Sequence, residues 1–212
     1  MCARPKGITL IELLVTVGLV LVLLVAGMWL FLPTLNALSR GTARSEVEEQ
    51  AVLSLYKVEE ELRRSAPEGI QVFSQAEVTA ARFPGLLVTP LKDVDGDGDR
   101  VWWPKVLAIW WDRPGQRLSL KSWPPKNPAG FAMEPTVNRP ACLNLNEYVS
   151  LVESLNGTEI SWAKGVTQFD VTDSGVADWA VPPISLTITV RRQEGHHMES
   201  FQARRTLTLR TQ

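Results

Sequence analysis

The chain has 212 residues, 45% hydrophobic and 21% charged, with 22 basic against 23 acidic side chains. That length suits one ordinary domain, or a domain with an appendage, and is enough to bury a real core. A net charge of −1 lacks the basic excess of a general nucleic-acid binder, and two cysteines exclude a disulfide-rich scaffold or a four-thiolate metal site.

The averages conceal a stretch from Leu13 to Ser39 with no charged residue. Within it, Leu13 to Leu32 is interrupted only by Thr16, Gly18 and Gly27. As a helix rising about 1.5 Å per residue it spans roughly 30 Å, the thickness of the bilayer hydrocarbon. A cleaved secretory signal has a shorter apolar region of roughly 7–15 residues followed by a small-residue cleavage site. Met28-Trp29-Leu30-Phe31-Leu32-Pro33 offers no such site, and Cys2 lies at the wrong end for a lipoprotein signal. The expectation is a single retained span. Arg4 and Lys6 before it favour a cytoplasmic start, a bias that Arg40 and Arg44 beyond it weaken. The residues after the span then lie outside the cytoplasm.

Glu12 opens the apolar run, where an ionised carboxylate is expensive unless it is paired or at the interface. Taken alone it reads equally well as an idle residue at the membrane surface. Its neighbours, Lys6-Gly7-Ile8-Thr9-Leu10-Ile11-Glu12-Leu13-Leu14-Val15, resemble the cleavage and methylation motif of type IV prepilins and pseudopilins. That motif has a short basic leader, a Gly, an apolar residue, then Thr-Leu-Ile-Glu and the apolar helix. The resemblance implies that a prepilin peptidase cuts between Gly7 and Ile8 and that the new amine of Ile8 is methylated. It also implies that Glu12 pairs with the amino terminus of a neighbouring subunit. Ile8 stands where many members carry Phe, a mild departure. The chemistry agrees, because cleavage creates a cation in an apolar setting and an unpaired charge there costs several kcal/mol.

Pro33 is expected to kink or interrupt the helix. Beyond it Leu35, Leu38, Ala51, Leu55, Val58 and Leu62 form an apolar stripe, and Glu59/Arg63 and Glu60/Arg64 are i,i+4 pairs on what reads as a solvated face. Pro67 ends the helix near Ser65. The helix is therefore predicted from about Ile8 to Ser65, half membrane span and half amphipathic lid.

From Ile70 onward, short apolar or alternating runs between turn clusters predict strands at 69–73, 86–89, 101–103, 106–112, 116–123, 166–172, 184–191 and 201–209. Arg113-Pro114-Gly115-Gln116 reads as a hairpin turn, and the Pro-rich stretch from Trp123 to Pro140 as an irregular excursion. Val106-Leu-Ala-Ile-Trp-Trp-Asp, a tight turn and Arg117-Leu-Ser-Leu-Lys look like the central hairpin of J-type minor pseudopilins and W-type minor pilins. Trp162-Ala-Lys-Gly-Val166-Thr-Gln-Phe169 and Val181-Pro-Pro-Ile-Ser-Leu-Thr-Ile-Thr-Val190 are similar to their late strands. Leu55-x-x-Val58-x-x-x-Leu62-Arg63-x-x-Ala66 is similar to the end of their long helix.

Outside the anchor, Asp93-Val-Asp95-Gly-Asp97-Gly98-Asp99 opens like a calcium loop, with carboxylates at alternate positions and a Gly where the chain turns sharply. The twelfth position is Pro104 instead of a bidentate Glu, so the competing reading is an acidic turn, and any calcium would be structural. Trp102, Trp103, Trp110, Trp111 and Trp123 cluster, and each Trp-Trp pair in a strand places one ring on each face of the sheet. Core packing with loop cover is the first reading of that cluster; a subunit-packing surface and a carbohydrate platform follow it. His196 and His197 read as a surface link, and Cys142 as a small apolar residue or free thiol. No nucleophile elbow, phosphate loop or zinc-spaced set is present, which leaves no basis for an enzyme.

The combined expectation is α+β: a leader at 1–7, a transmembrane or filament-core helix at 8–32, its amphipathic continuation at 33–66, and an extracytoplasmic β-rich pilin-like domain at 67–212. The resemblance implies a minor pilin or pseudopilin of the inner membrane that initiates a type IV pilus or type II secretion pseudopilus. Its partners would be other pilins or pseudopilins, prepilin peptidase and the inner-membrane assembly platform. Glu12 argues against the tip subunit of the K type, which lacks that residue. The alternative is a single-span anchored module that binds calcium or a glycan, with no filament role.

Overall fold

Ten strands and two α-helices follow one another in the computed structural model, which describes residues 9–73, 84–94, 96–103, 105–123, 142–153, 158–174, 179–194 and 197–209. The chain divides into two compact units, 1–43 and 44–212. Helix α1 (Leu10–Arg63) supplies all the described helix of the first unit and the long helix of the second.

In the first unit the apolar side chains from Leu10 to Leu32 are exposed, and α1 is long and apolar enough there to cross a membrane. Of the kink or interruption expected at Pro33, the interruption does not occur: the helix is continuous through it. Proline removes only the ladder donor to the Trp29 carbonyl; the Thr34 hydroxyl donates to the carbonyls of Phe31 (2.7 Å) and Leu30 (3.4 Å), not to that one.

In the second unit a five-stranded antiparallel sheet has the order β1 (Ile70–Phe73), β2 (Gly85–Val88), β5 (Val106–Asp112), β6 (Arg117–Trp123), β7 (Thr158–Lys164). A three-stranded sheet has the order β10 (His197–Leu207), β9 (Ile184–Glu194), β8 (Val166–Thr172), and β3 (Leu91–Val94) pairs with β4 (Arg100–Trp102) as a separate hairpin. The predicted strands all form, two of them with the expected limits and the rest with ends shifted by up to four residues. Three elements were not predicted: β3, β7 and helix α2 (Leu145–Glu153). Strand β7 is exposed at Thr158, Glu159, Ile160 and Ser161, as an outer strand can be, and so lacks an apolar run.

The amphipathic part of α1 buries Val47, Ala51, Leu55, Val58 and Leu62, spaced by fours and threes, against both sheets. Leu35 and Leu38, placed on the same stripe by sequence, belong to the first unit and are exposed. Alternation along β5 sends Leu107, Ile109 and Trp111 into this core and Ala108 and Trp110 into a second one. The second core lies beneath α2, where Tyr148 stacks on Phe73 with ring centroids 4.0 Å apart. The two rings of Trp110-Trp111 thus face opposite cores, and the cover on the second face is a helix. Gly85 is required there, since a Cβ would lie 2.0 Å from the Ile109 carbonyl oxygen and 2.7 Å from the Tyr148 hydroxyl.

Glu59 corrects the expectation of a solvated helix face. Its residue is 7% exposed, and one carboxylate oxygen accepts from Arg63 Nε and Nη2 at 2.9 and 2.8 Å. The other accepts from Arg205 Nη1 of β10 at 2.6 Å, so the carboxylate ties the helix to the three-stranded sheet. A second tie joins Glu46 to Arg192 of β9. The Glu60–Arg64 pair is about half exposed, as predicted.

Two outcomes follow. Gly85→Ala should destabilise the second unit by about 3 kcal/mol, because the new atom meets backbone on one side and a buried ring on the other; chemical denaturation measures this. The Arg63 hydrogen bonds, ahead of Arg205, hold the Glu59 carboxyl below the usual carboxylate range. Its contribution is therefore complete above the unfolded value of about 4.3 and lost as pH falls through the lower folded value. Glu59→Gln should cost about 2 kcal/mol at neutral pH and should flatten the acid limb of a melting-temperature profile.

Candidate functional site

Thr9 and Glu12 are joined at the start of α1 by three hydrogen bonds. The Thr9 backbone N–H and hydroxyl donate to Glu12 Oε2 at 3.0 and 3.1 Å, and the Glu12 backbone N–H donates to Thr9 Oγ1 at 3.3 Å. This is a reciprocal capping box: the first turn of a helix has unpaired N–H groups, and Thr-x-x-Glu satisfies two of them. Glu12 also lies where a negative charge interacts favourably with the helix dipole. Glu12 thus has a role besides that of an idle or a pairing charge. Thr-x-x-Glu immediately before an apolar run was the available signal for its third role. Thr16 continues the turn, its hydroxyl donating to the Glu12 carbonyl at 2.8 Å. Gly7 and Ile8, the predicted cleavage pair, lie outside the described residues.

Asp93, Asp97 and Asp99 are exposed in and beside the turn joining β3 to β4, while Asp95 lies outside the described residues. Asp93 Oδ1 accepts from the Val94 backbone N–H at 2.8 Å, a local turn bond. Among the described residues no three His, Cys, Asp or Glu side chains come together as metal ligands. His197 is exposed at the start of β10 and His196 lies outside the described residues. Cys142 is partly buried. Trp102 is buried, whereas Trp103 is 38% exposed, with the ammonium groups of Lys92 and Lys105 at 5.6 and 6.0 Å from its ring centre.

A cleft of about 610 Å³ is lined by Arg63, Arg64 and Arg100 together with Leu91 and Leu207. Each of its guanidinium groups is already ion-paired, with Glu59, with Glu60 and Glu61, and with Glu68 respectively. Such a lining is charge-balanced, with no group set out as a base or nucleophile.

Lys121 of β6 was not singled out by sequence, because its burial depends on α2. It is 5% exposed and donates from Nζ to the Val152 carbonyl at 3.0 Å, close to the end of α2. A cation there satisfies a terminal carbonyl and the negative end of the helix dipole. The other end of α2 carries a second capping box: the Asn144 and Glu147 backbone N–H groups donate to Glu147 Oε2 (2.8 Å) and Asn144 Oδ1 (3.0 Å). Buried lysines often mark catalysis, but this one is occupied as a cap. Compared with known protein families, with curated proteins and with solved structures, the chain has no match in any of the three.

Burial pushes the Lys121 ammonium below the ordinary lysine range, partly offset by Glu159. The unfolded chain then holds more protons between the folded value and about 10.4, so this group adds stability as pH rises through that window. Tyr148, pushed upward by burial, titrates in the opposite sense. The comparison to make is with Lys121→Met, which keeps Tyr148. Denaturation midpoints should show the wild type gaining on this variant from pH 8 towards pH 10.

Proposed function

We propose that this chain is a minor pilin or pseudopilin, a structural subunit that helps to initiate a type IV pilus or a type II secretion pseudopilus. The observation that carries the reading is Gly7-Ile8-Thr9-Leu10-Ile11-Glu12 placed at the start of a helix whose apolar side chains from Leu10 to Leu32 are exposed. The α+β second unit, a helix packed on antiparallel sheets, is compatible with it.

In this reading residues 1–7 are removed on the cytoplasmic side and the Ile8 amine is methylated. Loss of Arg4 and Lys6 leaves 20 basic against 23 acidic side chains, so the working subunit carries −3. The helix then passes from lipid into a bundle of like helices, and the described second unit stays outside the cytoplasm. Within lipid the Glu12 carboxylate is already engaged by its own Thr9 cap, which lowers the cost of holding an acid at the edge of the apolar run. On assembly the Ile8 ammonium of a neighbour supplies a counter-charge. Both donors fit on one carboxylate, whose two oxygens offer about four lone-pair sites.

Mass spectrometry of the amino terminus in cells with active prepilin peptidase tests this. The expected product begins at Ile8 and carries a methyl group, and Gly7→Ala should abolish both processing and filament incorporation. A wild-type chain that keeps Met1 to Gly7 in such cells, or a Gly7→Ala chain that behaves as wild type, would instead support an anchored binding module.

A further inference from the structure

We propose that α2 is a detachable flap, held over the second face of the five-stranded sheet by an interface that a buried, unpartnered hydroxyl keeps weak, so that it opens while the sheet stays folded. Three observations carry this. First, α2 has nine residues, fewer than the roughly 12–15 an isolated helix needs in water, so it is helical only while docked. Second, its docking is local. It buries Tyr148 and Val152 in the second core, a cluster that shares no buried residue with the one beneath α1, and packs the partly buried Leu145, Val149 and Leu151 against the same cluster. Its attachments include the reciprocal Gln71–Leu143 hydrogen bonds at 3.0 and 3.3 Å, the Phe73 stack and the Lys121 cap.

Third, closure desolvates a group that gains nothing by it. The Tyr148 residue has no exposed surface, and among the described residues its hydroxyl meets no hydrogen-bond partner. A buried unsatisfied hydroxyl opposes the closed state, whereas water satisfies it when the flap opens. An element that docks through a core of its own and encloses an unpaired polar group opens at a free energy below global unfolding. The open form leaves Phe73, Leu87, Ala108 and Trp110 uncovered on a sheet that the first core still holds through Leu107, Ile109 and Trp111.

Hydrogen exchange followed by mass spectrometry on the full chain in detergent micelles tests the flap. Amides of 145–153 should exchange faster than those of 106–112 and 117–123. Tyr148→Phe keeps the stacked ring and removes only the unpartnered hydroxyl. It should slow exchange in α2 several-fold and leave the strands unchanged. Val152→Ala should speed exchange in α2 alone. Exchange of α2 at the same rate as β5 and β6, or a Tyr148→Phe variant that exchanges as fast as wild type or faster, would overturn the proposal.

Discussion

A central strand with two apolar faces commits a fold to covering both, and β5 is such a strand. Leu107, Ile109 and Trp111 point one way and Ala108 and Trp110 the other, because side chains alternate across a pleated backbone. Two covers follow. The amphipathic part of α1 closes one face with five buried aliphatic side chains, and α2 closes the other with Tyr148 and Val152. These covers differ in length, a helix of two and a half turns against a longer stripe, and hydrophobic stabilisation scales with the apolar area each buries.

One buried polar group under each cover makes the contrast. Beneath α1, Glu59 is enclosed but matched by two guanidinium groups, so its charge links helix to sheet. Beneath α2, the Tyr148 hydroxyl is enclosed and unmatched. An enclosed group that keeps its hydrogen bonds can fix the position of an element, while one that loses them raises the free energy of the closed form. One helix is thereby fastened and the other is left easier to release.

Glu12 shows the same economy in an apolar setting. Its side chain satisfies donors at the start of its own helix, so its presence does not by itself require a partner chain. What supports the assembly reading is the order of residues around it, with Gly7 and Ile8 before and the uncharged run behind. The cap and the proposed pairing are compatible, since the cap leaves acceptor capacity on the carboxylate.

Much of the architecture was legible in residue order. Local periodicity set the long helix, the stripe from Ala51 to Leu62 and the strands β5 and β8 at their observed limits, because these patterns depend on neighbours in sequence. The apolar helix that could cross a membrane and the motif ahead of it are likewise properties of the chain alone. Strand β7, with four exposed residues, and α2, a nine-residue helix, carry too little periodicity to be read that way. Continuity through Pro33 and the burial of Glu59 and Lys121 were decided by the folded chain. Whether one missing donor breaks a helix depends on the bonds around it, and whether a charge is enclosed depends on what packs above it. Glu59 is enclosed because Arg205 arrives from a strand 146 residues away, and no window of local sequence contains both.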